Sequence, residues 1–310
     1  MNWGRNHHHN SPAGRSGRIM QVVSGSLVCV LLAACASPAG QGSPGSSGPS
    51  DSSTVAVTPA TPTESASETS EPTGSSSVMV YFITETPVGP RLARELRTVS
   101  GDARTGALQA MIDGPTDPDY TSFWDPETSV LSTSADAGVV TVELSGAARN
   151  SGVDNAIADL MVQQLVFTAT LDDPDAEVQL LIAGEAAGEL WGTTALDQPI
   201  GRANETTTLA AVLTDLPANG SRLTTDNALF SGDILAGSTL SWVVRYAGTS
   251  DEAAAGELPA TEGDGFVPFS ITPELGPGRF VLELRAYPSG GDSTAPLAID
   301  TREFSFHLAA

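Results

Sequence analysis

Three textures of apolar and polar positions divide this chain. At 19–34 it reads IMQVVSGSLVCVLLAA, sixteen residues without a charge, with Arg15 and Arg18 just ahead and small residues closing it. At 36–77 it is almost entirely Ser, Thr, Pro, Gly and Ala with scattered acids. From Val78 onward, apolar residues recur at strand and helix spacings.

Within that third texture, VMVYFIT at 78–84 is β-branched and aromatic and predicts a buried strand. ETPVGP supplies a turn, and RLARELRTV at 91–99 can return as a second strand, although Arg91, Arg94 and Arg97 also fit one face of a helix. TGALQAMIDG predicts a short helix halted by Gly114 and Pro115. VLSTSADAGVVTVELS predicts a hairpin turning at 136–138, its second arm alternating Val140, Val142 and Leu144 with Thr141 and Glu143. The longest helix follows, capped by Ser151 or Asp154. Ile157, Met161, Leu165 and Thr168 form its stripe, with Leu160 and Leu171 beside them. VQLLIAG at 178–184 predicts another strand.

After Glu205 the pattern changes to short strands: TTLAAVLTDL, ALFSGDI, STLSWVVRY, GFVPFSI, GRFVLELRAYP and AIDTREFSFHL. Turns rich in Gly, Pro, Asn and Asp separate them, which predicts an antiparallel sandwich with Trp242 and Phe280 in its core.

The uncharged stretch at 19–34 ends on Cys35, and Cys29 is the other cysteine of the chain. A bridge between them would staple nothing of structural use, since both lie in one apolar segment. A basic start, an apolar middle and a small-residue end make the layout of a secretory signal peptide, and the stretch is short of the roughly 20 apolar residues of a membrane span. Leu32-Ala33-Ala34-Cys35 resembles the lipobox of bacterial lipoproteins. That resemblance implies cleavage between Ala34 and Cys35, with S-diacylglycerol and N-acyl (palmitate) groups on Cys35. It also implies a place on the extracytoplasmic face of the cell membrane. Two or three acyl chains satisfy the requirement for more than one lipid signal in stable anchoring. The run His7-His8-His9 lies upstream of that cut and would leave with the leader. The 36–77 stretch is too poor in apolar residues to offset its conformational entropy. It is expected to be a disordered tether reaching roughly 35 Å as a random coil.

Charge sharpens this picture. All 14 basic residues are arginines, against 37 acids, for a net charge of −23. Three arginines precede Leu27 and no acid precedes Asp51, so removing residues 1–34 leaves 11 arginines and a charge of −26. Such a chain is repelled by nucleic acid and by anionic lipid, so attachment to a membrane requires a covalent anchor. The absence of lysine excludes a P-loop, a Schiff-base enzyme and a Ser-Lys pair. The Ala- and Gly-rich composition without lysine points to a GC-rich genome.

The segments ALQAMIDGPTDP, TSVLSTSADAGVVTVELSGAARNSG, the helix to Leu171 and VQLLIAGEAAGELWG resemble the GerM domain of sporulation and germination proteins and cell-envelope lipoproteins. The resemblance covers 78–202 and implies an α+β fold of order ββαββαβ. The stretch GDGFVPFSITPELGPGRFVLELRAYPSGG resembles the immunoglobulin-like domain that often follows GerM domains, here at 205–310, an all-β sandwich. The expected organisation is therefore a signal peptide (1–34), a lipidated tether (35–77), a GerM domain (78–202) and the sandwich (205–310). The source this implies is a high-GC Gram-positive bacterium. The family's hydroxyl after the hairpin strand falls on Ser145, in Val142-Glu143-Leu144-Ser145, and is expected to end the strand by bonding its own turn.

Catalytic chemistry finds little footing. After Cys35 one histidine remains, His307, and no His/Cys cluster stands at zinc spacing. No acids stand in a calcium-loop spacing, and TDPDY and DDPDAE read as loops with solvated charge. No cofactor, metal ligand or catalytic residue is expected. The expected role is binding or assembly in an envelope complex, with an envelope protein or peptidoglycan as partner. The rivals are a glycan-binding module using Trp124, Trp191 or Trp242 with a few Tyr and Phe, and a carboxylate-dependent wall hydrolase.

Overall fold

The N-terminal part combines a continuous buried run at 80–84, period-two strands at 139–144 and 177–182, and two helices. A computed structural model describes residues 74–192, 195–224, 228–290 and 295–307. The expected signal peptide, Cys35 and the expected tether up to residue 73 lie outside the described residues, as does His7-His8-His9. The chain there is mixed α and β, rich in strands with few helices.

Strand β1 (Ser75–Thr86) pairs antiparallel with β2 (Gly89–Ser100) along its whole length. It starts three residues before the apolar pattern does, because Ser75, Ser76 and Ser77 pair with Ser100, Val99 and Thr98. A partner strand supplies ladder hydrogen bonds whatever the side chain. The segment holding Arg91, Arg94 and Arg97 is this strand and not a helix. Helix α1 (Ala103–Asp113) follows, capped by the Asp102 carboxylate and stopped at Gly114, whose φ of 99° suits glycine. A two-residue strand β3 (Tyr120–Thr121) then joins β1 at Ile83 and Thr84.

Strands β4 (Val130–Asp136) and β5 (Val139–Leu144) form the hairpin, and the α2 helix (Asn155–Ala169) carries the chain over to β6 (Glu177–Ile182). Parallel pairing of β5 with β6 requires such a crossover. Asp154 is the cap, its carboxylate accepting from the Ile157 amide at 3.0 Å. Met161, Leu165 and Thr168 are buried, and Thr168 has a specific task. Its Oγ1 accepts from the Tyr81 amide at 3.2 Å, while Gln164 Nε2 donates to the Tyr81 carbonyl at 2.9 Å. The short β3 leaves this part of the β1 edge open, and α2 satisfies its backbone. Strand β7 (Glu185–Ala186) ends the four-stranded sheet β4-β5-β6-β7, and β8 (Gly188–Glu189) pairs with β9 (Ala195–Leu196).

The expected strand from Thr207 instead begins with a helical turn, α3 (Glu205–Thr208), because Asn204 caps it. Strand β10 (Val212–Leu216) follows, then β11 (Ser221–Leu223), β12 (Phe230–Leu235) and β13 (Ser238–Tyr246). The remaining strands are β14 (Glu252–Leu258), β15 (Phe266–Ile271), β16 (Gly278–Pro288) and β17 (Ala298–Phe306). They form a three-stranded sheet, β10-β12-β15, and a five-stranded sheet, β11-β17-β16-β13-β14. The two sheets meet through aromatics: Phe230 packs edge-on against Phe304 at 5.5 Å, and Phe304 lies 5.5 Å from Phe280. Phe280 is buried, as its pattern predicts, whereas Trp242 is half-buried. Its indole lies over Gly256 of β14, where an added Cβ would come within 2.6 Å of the ring. Strands β11 and β14 escape the apolar pattern because SRL and EAAAGEL carry almost no large hydrophobic residue.

All described residues belong to one compact unit. No helix among them is long and apolar enough to cross a membrane.

Candidate functional site

Alternation on β17 puts Ala298, Asp300, Arg302, Phe304 and Phe306 on one buried face. Two of those five are charged, and a charge placed inward needs partners. Arg302 finds them in TDPDY, the loop between α1 and β3. One of its terminal nitrogens donates to Asp117 Oδ2 and, at 2.7 Å, to Asp300 Oδ1. The other donates to the Tyr120 hydroxyl, which donates on to Asp300 Oδ1 at 3.1 Å. The guanidinium carbon also lies 5.0 Å from the centre of the Tyr120 ring, a cation–π contact. The side chains of Arg302, Asp117 and Asp300 are 3 %, 2 % and 6 % exposed, so water screens none of this. Thr301 Oγ1 donates to Asp119 Oδ2 at the rim.

The loop itself is built to hold Asp117. Glu95 of β2 accepts from the amides of Thr116 (3.0 Å) and Asp117 (2.7 Å), and Arg97 donates to it at 3.0 Å. The Asp119 amide donates to Asp117 Oδ1 at 3.0 Å. Arg94, one residue earlier on β2, points the other way. Its Nε and one terminal nitrogen grip Asp215 of β10 at 2.7 and 2.8 Å, and it also reaches Asp233 of β12. A backbone bond from the Ala210 amide to the Leu92 carbonyl, 2.8 Å, completes the seam between the two parts.

One cation among two buried carboxylates leaves an excess of negative charge. Burial, opposed by Arg302, pushes the Asp117 carboxyl up to about 6. Asp300 is also raised, burial again leading, and the Tyr120 phenol is held well above its usual range for the same reason. Burial works against the charge on Arg302, but Asp300, Tyr120 and Asp117 outweigh it, and the guanidinium stays protonated. Asp300 Oδ2 and Thr214 Oγ1 are both buried, and the Thr214 side chain works against the rise at Asp300. This corrects the expectation for TDPDY in part: it is a loop and Asp119 is exposed, but the charge of Asp117 is buried.

The other sequence-singled residues sit elsewhere. Ala34 and Cys35 lie outside the described residues. The Ser145 side chain does not bond its own turn, although its carbonyl accepts from the Ala148 amide: its Oγ accepts from the Ser129 amide at 3.0 Å, and its amide donates to the Ser129 carbonyl. It therefore ties the end of β5 to the chain entering β4. His307 follows β17, its amide donating to the Leu223 carbonyl. Trp124 is buried and meets Trp191 edge-on at 5.0 Å, and both indole N–H groups lack an acceptor. Trp124 also lines an apolar crevice with Leu165, Leu180 and Ile200, of about 10 Å³, room for about one water. Clefts of about 210 and 190 Å³ flank Arg104, which is held by Asp172 and the Ala169 carbonyl. Among the described residues no group of three or more His, Cys, Asp or Glu is placed to hold a metal ion.

Comparison with solved structures gives low overall similarity. The tandem GerMN domains of the sporulation protein GerM from Bacillus subtilis align at 16 % identity with a TM-score of 0.33, over 46 % of this chain and 49 % of that one. The first GerMN domain of the same protein aligns at 18 % identity with a TM-score of 0.32, over 41 % of this chain and 99 % of that one. This chain thus spans about half the length of the tandem structure. No curated protein is a significant match. A family model does match: residues 79–188, the segment from β1 to the start of β8, are similar to the Germane family, described as sporulation and spore germination.

Proposed function

We propose that this chain is an exported, lipid-anchored, non-catalytic protein of the cell envelope that acts in binding or assembly of an envelope complex. The observation that carries this reading is Leu32-Ala33-Ala34-Cys35 at the end of an uncharged apolar stretch. Lipid on Cys35 holds the protein on the outer face of the cell membrane. The polar segment that follows spaces the folded part from the bilayer, as its composition favours. The Germane match over 79–188 supports reading the N-terminal part as a GerM domain of ββαββαβ order. The two strand-rich sheets of the C-terminal part are read as an immunoglobulin-like sandwich. Its source is a high-GC Gram-positive bacterium.

The partner is an envelope protein in preference to a glycan. Stacking on sugar needs an open aromatic face, whereas Trp124 is buried against Trp191, the Trp242 ring lies on Gly256 and the exposed Tyr246 leans on Phe280. The test is the mass of the N-terminal peptide from protein recovered in the membrane fraction. A peptide beginning at acylated Cys35 is expected. One that retains residues 1–34, or begins at Cys35 without fatty-acyl mass, overturns the proposal. Crosslinking in the intact envelope then identifies the partner, and retention on purified wall without protein would favour the glycan reading.

A further inference from the structure

Two parts of one chain ordinarily move against each other unless the interface between them is large and apolar. The seam here carries apolar residues of one continuous core, Leu92 and Leu209 among them, and beside them a set of buried charges. Arg302 comes from the last strand, and its partners Asp117 and Tyr120 come from a loop 185 and 182 positions earlier. Each is at most 5 % exposed. Burying such a set is costly unless all members stay in register, so a small rotation would leave a charge unpaired away from water. The guanidinium geometry adds direction: donors in one plane serve Asp117, Asp300 and Tyr120 at once. Arg94 clamps the opposite side of the seam through Asp215 and Asp233.

We infer that Arg302 is a positioning residue that locks the N-terminal and C-terminal parts into one rigid body, so that a partner bound to either part is presented at a fixed angle to the other. Asp117, Asp300 and Tyr120 receive it. Without Arg302 the two parts rock about the β2–β10 seam, where Arg94 and the Leu92–Ala210 bond remain.

The test separates rigidity from stability. Spin labels are placed on exposed Asp159 of α2 and Ser250, through Asp159→Cys and Ser250→Cys, in the full chain carrying Cys29→Ala and Cys35→Ala. Pulsed electron-paramagnetic-resonance distances are then compared among variants. The parent is expected to give one narrow distance distribution and a single calorimetric transition. Arg302→Met leaves two buried carboxylates unpaired and is expected to lower the unfolding temperature. The neutral triple Arg302→Met, Asp117→Asn, Asp300→Asn removes that charge penalty and is expected to regain much of the lost stability. Its distance distribution is nevertheless expected to be broad. A narrow, parent-like distribution in the triple overturns the inference. If the triple does not fold, Arg302→Lys decides in the same way: it keeps the charge but cannot serve three partners. A broad distribution then supports the lock, and a narrow one overturns it.

Discussion

Arg302 and Asp117 stand 185 positions apart and meet as a buried ion pair, each side chain almost wholly removed from water. The pair belongs to neither part of the chain alone. Its consequences are measurable in stability, and so are those of three simpler contacts.

Asp117 makes stability depend on pH in an unusual direction. Its carboxyl is raised to about 6 from an ordinary 3.8, so between those values the folded chain holds a proton that the unfolded chain has released. Stability therefore falls as pH rises from about 4 to 6, by about 3 kcal/mol. Denaturant titrations of the parent and Asp117→Asn across that window should show the slope shrinking in the variant. An unchanged slope would assign it to other acids.

Arg94→Met removes the forked contact to Asp215 and the reach to Asp233, with the Arg94 side chain 13 % exposed. Two partly buried carboxylates are then left facing each other. A loss of about 2 kcal/mol is expected from chemical denaturation. Because the site is only partly wet, adding salt should recover little of that loss.

Asp154→Ala deletes the cap of α2, the helix that also satisfies the open edge of β1. A destabilisation of about 1 kcal/mol is expected, and Asp154→Asn or Asp154→Ser should retain most of the parent stability. Amide exchange at Ile157 is the local readout, since that N–H loses its acceptor.

Gly256→Ala places a methyl within 2.6 Å of the Trp242 ring. The ring must shift outward, and a loss of about 1–3 kcal/mol should accompany a red shift in its fluorescence as it gains exposure. Retention of the parent spectrum would show that β14 gives way instead of the indole.

How much of this was legible beforehand differs by kind of residue. The hairpin at 136–138, the α2 helix and the burial of Phe280 could be read because period two and period 3.6 are local properties of the chain. Strand β14 could not be read, since Ala, Gly and Glu at 252–258 carry no period, and its pairing with β13 alone places it. Nor could the start of β1, where three serines become strand because β2 lies beside them. TDPDY has the composition of an exposed turn, and nothing within five residues announces Arg302. A signal did exist at the other end: Asp300 and Arg302 share the inward register of Phe304 and Phe306. Two opposite charges on the buried face of a strand require a partner from elsewhere.

The sequence by itself determined the apolar stretch ending on Cys35, the polar stretch after it, the strong negative charge and most of the elements, since each depends on neighbours along the chain. Tertiary structure alone decided which acids lose their water, which serines become strand and how the two parts are joined. The physical reason is that desolvation and ion pairing depend on distance in space. Arg302 and Asp117 acquire their properties only when β17 is laid against the loop before β3.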